Sequence, residues 1–181
     1  MAIGHEATID DLYRVEGKAE IVDGEIVLMS AASGLHGYAA GRIYASLLEH
    51  ENRTKSGHAL PDNVGFVVHL PRRRSFSPDA AFTLAPLTRK FIDGAPIFAA
   101  EVRSDEDYGP AAERAMARKR DDYFAAGTLV VWDVDTLDGE VVRVFRASDP
   151  TSPVIYKRGE RAEAEAALPG WSMPVDDLFP Q

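Results

Sequence analysis

Apolar positions change their spacing several times along this chain, and each change marks an element. The stretch ATIDDLYRVEG predicts a short helix, capped by Thr8 with Asp11 three residues on and ended at Gly17. AEIV and EIVLMS read as two strands across Asp23-Gly24, a pair suited to a type I′ hairpin turn. Helical spacing then takes over in SGLHGYAAGRIYASLLEHENR, where Leu35, Ala39, Ile43, Leu47 and Leu48 share a face. VGFVVHLP, DAAFTL and IFAAEV are apolar runs of strand length. GPAAERAMARKRDDYFAAG predicts the best-defined helix, with Pro110 in its first turn and Gly127 just past its end. LVVWDVD and EVVRVFR follow across a turn containing Asp138-Gly139, then PVIYKR and the tail LPGWSMPVDDLF. This order predicts an α/β or α+β fold: a mixed central sheet flanked by helices, with an N-terminal helix and hairpin. No linker, repeat or low-complexity block interrupts residues 1–181, so a single domain is expected.

Three charged residues break these patterns. In SFSPDAAFTL, Pro78 forms a strand entrance and Asp79 stands where the strand should turn apolar. A solvated strand end, or a cap on a neighbouring loop, accounts for Asp79 taken alone. The strand PIFAAEVRS holds a second such acid, since Glu101 follows Ile97, Phe98, Ala99 and Ala100 in a run suited to burial on both faces. Two acids on consecutive strands can converge at one end of a sheet, where each raises the other's pKa unless a metal or a basic side chain intervenes. Removing either charge is then expected to relieve repulsion. Lys119 is the third, near the middle of the helix stripe formed by Ala112, Met116, Tyr123 and Ala126. Its stem can snorkel to water. Alternatively, a crossover lays this helix over the sheet, and one Lys and two carboxylates explain one another.

Composition narrows the chemistry. Hydrophobic residues make up 45% of the chain and charged residues 27%, a globular balance. There is no Cys, which removes disulfides and thiolate metal sites and fits a reducing cytoplasm. The N-terminus MAIGHEATIDDLY lacks the pattern of a signal peptide, and no apolar run reaches the ~20 residues of a membrane span. There is no glycine-rich phosphate loop, no G-x-S-x-G and no H-E-x-x-H. The five histidines, His5, His36, His50, His58 and His69, show no ligand spacing, and four of them are expected at surface or loop positions. A net charge of −9 opposes tight nonspecific binding of nucleic acid. Two basic clusters remain, PRRRS with Arg72, Arg73 and Arg74, and ERAMARKR with Arg114 and Arg118. Either is equally a solvated face.

The pattern SPDAAF followed by AAEVRS resembles the PD-(D/E)XK, restriction-endonuclease-like nuclease core, and within it the Uma-type endonucleases common in bacteria. Six segments fall in the expected order: AEIVDGEIVLMS, LHGYAAGRIYASL, SPDAAF, AEVRS, KRDDYFAAGTLVVWDVD and LPGWSMPVDDLF. The resemblance implies phosphodiester hydrolysis dependent on Mg²⁺ or Mn²⁺, with the ion held by Asp79 and Glu101 and the Val102 carbonyl as a further ligand. It matches Glu20 to the family's N-terminal acid, His36 to its histidine, and Lys119 and Tyr123 to its helical Lys and Tyr. One position departs: Arg103 stands where the superfamily motif usually carries Lys, two residues after Glu101. Arg stays protonated and cannot act as a general base. The resemblance therefore assigns the Lys role to Lys119 and leaves Arg103 to hold carboxylates or phosphate.

These observations lead to an expected metal-dependent endodeoxyribonuclease. DNA binding should be weak and salt-dependent, carried by Arg72, Arg73, Arg74, Arg114 and Arg118. Glu20 would hold a second ion or its waters, or be an exposed strand acid. Tyr123 would fix the Lys119 rotamer, or be a plain core aromatic. His36 would contact phosphate, or simply start a helix. A nuclease fold kept as a catalytically silent binding or regulatory module is the alternative, and a purely structural interaction domain is a third. A homodimer is open, with the C-terminal tail as a surface that could dock on a partner.

Overall fold

Thr8 starts the first helix, α1 (Ile9–Leu12), through a reciprocal cap with Asp11. The helix ends at Leu12 and not at Gly17; Tyr13 caps it with its backbone still helical and stacks on Phe91, with ring centroids 4.0 Å apart. The computed structural model describes residues 6–181, so His5 lies outside the described residues. The hairpin joins β1 (Ala19–Val22) to β2 (Glu25–Leu28), and φ of 51° at Asp23 and 79° at Gly24 is the left-handed pair its turn requires. Ser33 caps α2 (Gly34–Thr54), which buries Ala39, Ala40, Ile43, Leu47 and His50. His50 is thus a core residue set edge-on to Phe82 and not a surface histidine.

The remaining elements are β3 (His58–Leu60), β4 (Phe66–Val67), β5 (Ser75–Phe76), β6 (Ala80–Thr83), β7 (Ile92–Asp93), β8 (Phe98–Val102), α3 (Pro110–Ala125), β9 (Val130–Asp135), β10 (Val141–Arg146), β11 (Asp149–Lys157), β12 (Arg161–Glu163) and β13 (Ser172–Pro174). A 3-10 turn at Val175–Leu178 follows. Six strands form the main sheet in the order β11-β10-β9-β8-β6-β3. β8 and β9 run parallel, and α3 is the crossover between them. The sheet is mixed and flanked by helices.

Period-two alternation gives each face of the sheet its own core. Phe82, Phe98, Trp132 and Val144 face α2 and the C-terminal tail, where Trp171 packs on Phe98 and Trp132. Trp171, Met173, Val175 and Leu178 are buried there, so the tail fills this chain's own core and is not a free docking surface. Ala81, Ala99 and Val131 face the other way, against Phe66, Phe76 and Tyr123. The small sheet β5-β4-β7 closes this second side. The hairpin is fastened to residues 72–75, through Asp23 N–H to the Arg72 carbonyl (2.6 Å), Arg74 N–H to the Ile21 carbonyl (3.0 Å) and Ile21 N–H to Ser75 Oγ (2.8 Å). No helix among the described residues is long and apolar enough to cross a membrane.

Phe76 stacks flat on Tyr123, with centroids 3.9 Å apart, and both are fully buried. Phe76→Ala is expected to cost about 3–5 kcal/mol, the usual loss for a buried Phe, measured from urea unfolding.

Candidate active site

The alternation that sends Ala81, Ala99 and Val131 toward α3 sends the strand-end acids the same way. Ala80 pairs with Ala100, and the next step sets Asp79 against Glu101 across β6 and β8. Asp79 N–H donates to the Ala100 carbonyl at 3.1 Å, and Val102 N–H donates to Asp79 Oδ2 at 2.7 Å. The two misplaced acids therefore meet at one end of the sheet, with the Val102 backbone beside them. Asp79 is buried, whereas the Glu101 side chain is 26% exposed. The strand is thus not closed on both faces at Glu101; a cavity of about 590 Å³ opens there, with Asp79, Glu101, Lys119 and His36 in its wall.

Lys119 lies between two acids, its Nζ 2.9 Å from Glu101 Oε1 and 3.0 Å from Glu20 Oε1. Its place on the apolar stripe of α3 is explained by these counter-charges. Tyr123, one turn along, donates its hydroxyl to the same Glu101 oxygen at 2.6 Å. Glu20 is fully enclosed: Arg73 Nη1 reaches its Oε2 at 2.5 Å and Ser77 N–H its Oε1 at 2.8 Å. It is a buried acid, not an exposed strand residue. Docking of the hairpin onto residues 72–77 is what brings Glu20 to the sheet.

Asp79 has its own cations. Lys18 Nζ is 2.5 Å from Asp79 Oδ1 and 2.7 Å from Asp62 Oδ1, and His36 Nε2 is 3.2 Å from Asp79 Oδ2. His36 Nδ1 is buried without a hydrogen-bond partner among the described residues. Burial alone would raise the pKa of Asp79, but His36 and Lys18 outweigh it and hold the carboxyl well below the usual range. The same contest lowers Glu20, where Lys119 and Arg73 overcome burial. Glu101 goes the other way. Burial, together with the charges of Asp79 and Glu20, raises its pKa despite Lys119. Burial disfavours the Lys119 ammonium, yet Glu101 and Glu20 raise its pKa above the ordinary lysine value, which keeps it a charged donor.

Among the described residues no three His, Cys, Asp or Glu side chains are gathered closely enough to hold a metal ion as they stand. The donor chemistry nonetheless suits a hard divalent ion. Asp79 and Glu101 offer two carboxylates at a cavity wall, and Mg²⁺ is commonly held by one or two carboxylates plus water and phosphate. Lys18 and Lys119 supply the positive charge between these acids.

The family model described as Uma2, putative restriction endonuclease, matches residues 8–176. The chain belongs to the Uma2 family. No curated protein matches it. Among solved structures, a putative nuclease of the DUF820 group from Anabaena variabilis is similar at a TM-score of 0.74. The two are 16% identical, and the similarity covers 96% of this chain and 97% of that one. At that identity the likeness is one of fold. It agrees with the mixed sheet flanked by helices, as the resemblance in the sequence led us to expect.

Other charged residues in this Uma2 chain have separate tasks. Arg103 spans Asp133 with two bonds of 2.7 Å and reaches Glu113 Oε1 at 2.5 Å, so it serves an ion-pair network in the cavity wall and pairs with neither Asp79 nor Glu101. Its side chain shares the Glu101 face, but the neighbouring strand supplies its partner, since Asp133 stands opposite Glu101 in β9. Arg73 is buried on Glu20 and Asp122, which corrects its placement among solvated DNA contacts. Arg72 is exposed but paired with Asp23, while Arg74, Arg114 and Arg118 are exposed. Sequence reasoning missed Lys18, Asp62 and Asp133. Asp133 carried the same signal as Glu101, an acid inside an apolar strand, and Lys18 sits two residues before Glu20 on the strand approach.

The opposite pKa directions separate the two acids. Glu101, raised above its ordinary 4.5, stabilises the fold only in its protonated form, and that contribution is lost as pH rises through its folded value. Glu101→Gln is therefore expected to hold or raise stability at pH 7 in EDTA, with the gain vanishing below about pH 4. Asp79, lowered from 3.8, contributes above its unfolded value and loses that contribution as pH falls. Asp79→Asn is expected to lose about 1–3 kcal/mol at pH 7, because the charge-assisted bonds that Lys18, His36 and the Val102 N–H make to the carboxylate are weakened or lost. This corrects the expectation that removing either charge relieves repulsion; urea unfolding at both pH values measures the two variants.

Proposed function

We propose that this chain is an endodeoxyribonuclease that hydrolyses DNA phosphodiester bonds with Mg²⁺ or Mn²⁺ held by Asp79 and Glu101. The observation that carries the proposal is the lodging of Lys119 between Glu101 and Glu20, at the cavity wall that also presents Asp79. A bound divalent ion would polarise the scissile phosphate and lower the pKa of an attacking water. Lys119 is held charged and donates to developing phosphoryl charge, a role that requires a fixed ammonium. Glu20 and Tyr123 hold Lys119 and Glu101 in place, and Arg73 neutralises Glu20 from behind. Family membership and the nuclease fold support this reading.

The silent binding module is favoured by one observation: protein donors already engage both oxygens of Asp79. A metal-dependent nicking assay on supercoiled plasmid separates the two, since a silent module leaves the plasmid intact in the presence of Mn²⁺.

In that assay Asp79→Asn and Glu101→Gln are expected to abolish cleavage. Lys119→Ala is expected to slow single-turnover cleavage by about 10²–10³, the effect of one lost oxyanion donor. Arg103→Ala should cost much less, because its bonds go to Asp133 and Glu113. A dead Arg103→Ala with a nearly normal Lys119→Ala would reverse these roles.

With Arg73 buried and Arg72 paired, DNA contact rests on Arg74, Arg114 and Arg118. Replacing Arg114 and Arg118 with Ser is expected to flatten the slope of log affinity against log salt by about 0.9 per lost phosphate contact. An unchanged slope would show that this helix face does not meet DNA.

A further inference from the structure

Lys18 stands immediately before β1, two residues from Glu20, so both side chains leave the strand on one face. Its Nζ ends on Asp79 Oδ1 at 2.5 Å. The other oxygen of Asp79 is already engaged, by Val102 N–H at 2.7 Å and by His36 Nε2 at 3.2 Å. Oδ1 is therefore the oxygen that a hard cation entering the cavity can take, and an ammonium occupies it. A divalent ion binds carboxylate oxygen at about 2.0–2.1 Å for Mg²⁺, and a second cation on the same oxygen would repel it.

Lys18 has a second partner. Asp62 Oδ1 lies 2.7 Å from the same Nζ, and the Asp62 side chain is 40% exposed, whereas that of Asp79 is 5% exposed. Asp62 also lines the cavity. The ammonium can withdraw from Asp79 toward Asp62 without losing a counter-charge, so release does not strand an unpaired cation.

We propose that Lys18 is the resident cation of the Asp79 carboxylate, that a divalent ion must displace it, and that Asp62 receives the displaced ammonium. The proposal rests on the metal site proposed above. Lys18 acts in it as a positioning residue that sets how readily the ion is admitted. In the absence of the ion it neutralises a buried carboxylate; once the ion is bound, that duty passes to the ion.

The test is calorimetric titration of Mn²⁺ into the unsubstituted protein, into Lys18→Met and into Asp62→Asn, with no DNA present. Lys18→Met is expected to bind Mn²⁺ about tenfold more tightly, equivalent to about 1.4 kcal/mol. Asp62→Asn is expected to bind severalfold more weakly, because the ammonium then stays on Asp79. Equal affinities in all three proteins would overturn the role of Lys18 and leave the metal site standing. Binding by none would overturn the metal site, and this proposal with it. Binding by Lys18→Met alone would support displacement in its strongest form. If Lys18→Met fails to fold, Asp62→Asn decides: weakened binding supports the exchange, and unchanged binding overturns it.

Discussion

A carboxylate cannot be taken out of water without a cation close by, and this requirement organises one whole side of the protein. Glu20 is buried, so Arg73 and Lys119 must both reach it. Arg73 can do so only if residues 72–77 run beside the hairpin, and Lys119 only if α3 crosses back over the sheet. The backbone bonds between β1 and residues 72–75 meet the first condition. The parallel pairing of β8 with β9 meets the second. One buried charge thus ties together three segments that are far apart in the chain.

The same requirement divides the acids by environment. Asp79 is surrounded by Lys18, His36 and a backbone N–H, and remains ionised well below the usual range. Glu101 shares Lys119 with Glu20 and faces the charge of Asp79, so its ionised form is disfavoured. Two carboxylates directly opposite each other therefore differ in what they would gain from a divalent ion: Glu101 would gain a counter-charge, and Asp79 would exchange one. Lys18 and Lys119 give both acids a counter-charge from within the chain.

Charge pairing also extends to the rest of the molecule. Arg72, Arg73, Arg103 and Arg158 are committed to acids, as are Lys18 and Lys119. Arg74, Arg114 and Arg118 remain exposed, on a chain of net charge −9.

The sequence by itself determined the local elements whose signals are short-range. Asp23-Gly24 set the hairpin, Ser33 and Pro110 opened the two long helices, and continuous apolar runs marked Ala80–Thr83 and Phe98–Val102 as strands. It also exposed Asp79, Glu101 and Lys119, because a charge within an apolar pattern is visible without knowing what neutralises it. Tertiary structure decided the partners. Glu20 is an ordinary strand acid in sequence, and becomes a buried one only where the hairpin docks against residues 72–77. Arg73 sits in a run of three arginines that read alike, yet it alone of the three turns inward. The strands β3, β5 and β7 are too short to show a period, and only the pairing of distant segments defines them. Lys18 and Asp62 are 44 residues apart and carry no pattern, so their meeting at Asp79 was not legible in the sequence. Local periodicity records which face of an element is apolar, and only the packing of those faces decides which charges they enclose.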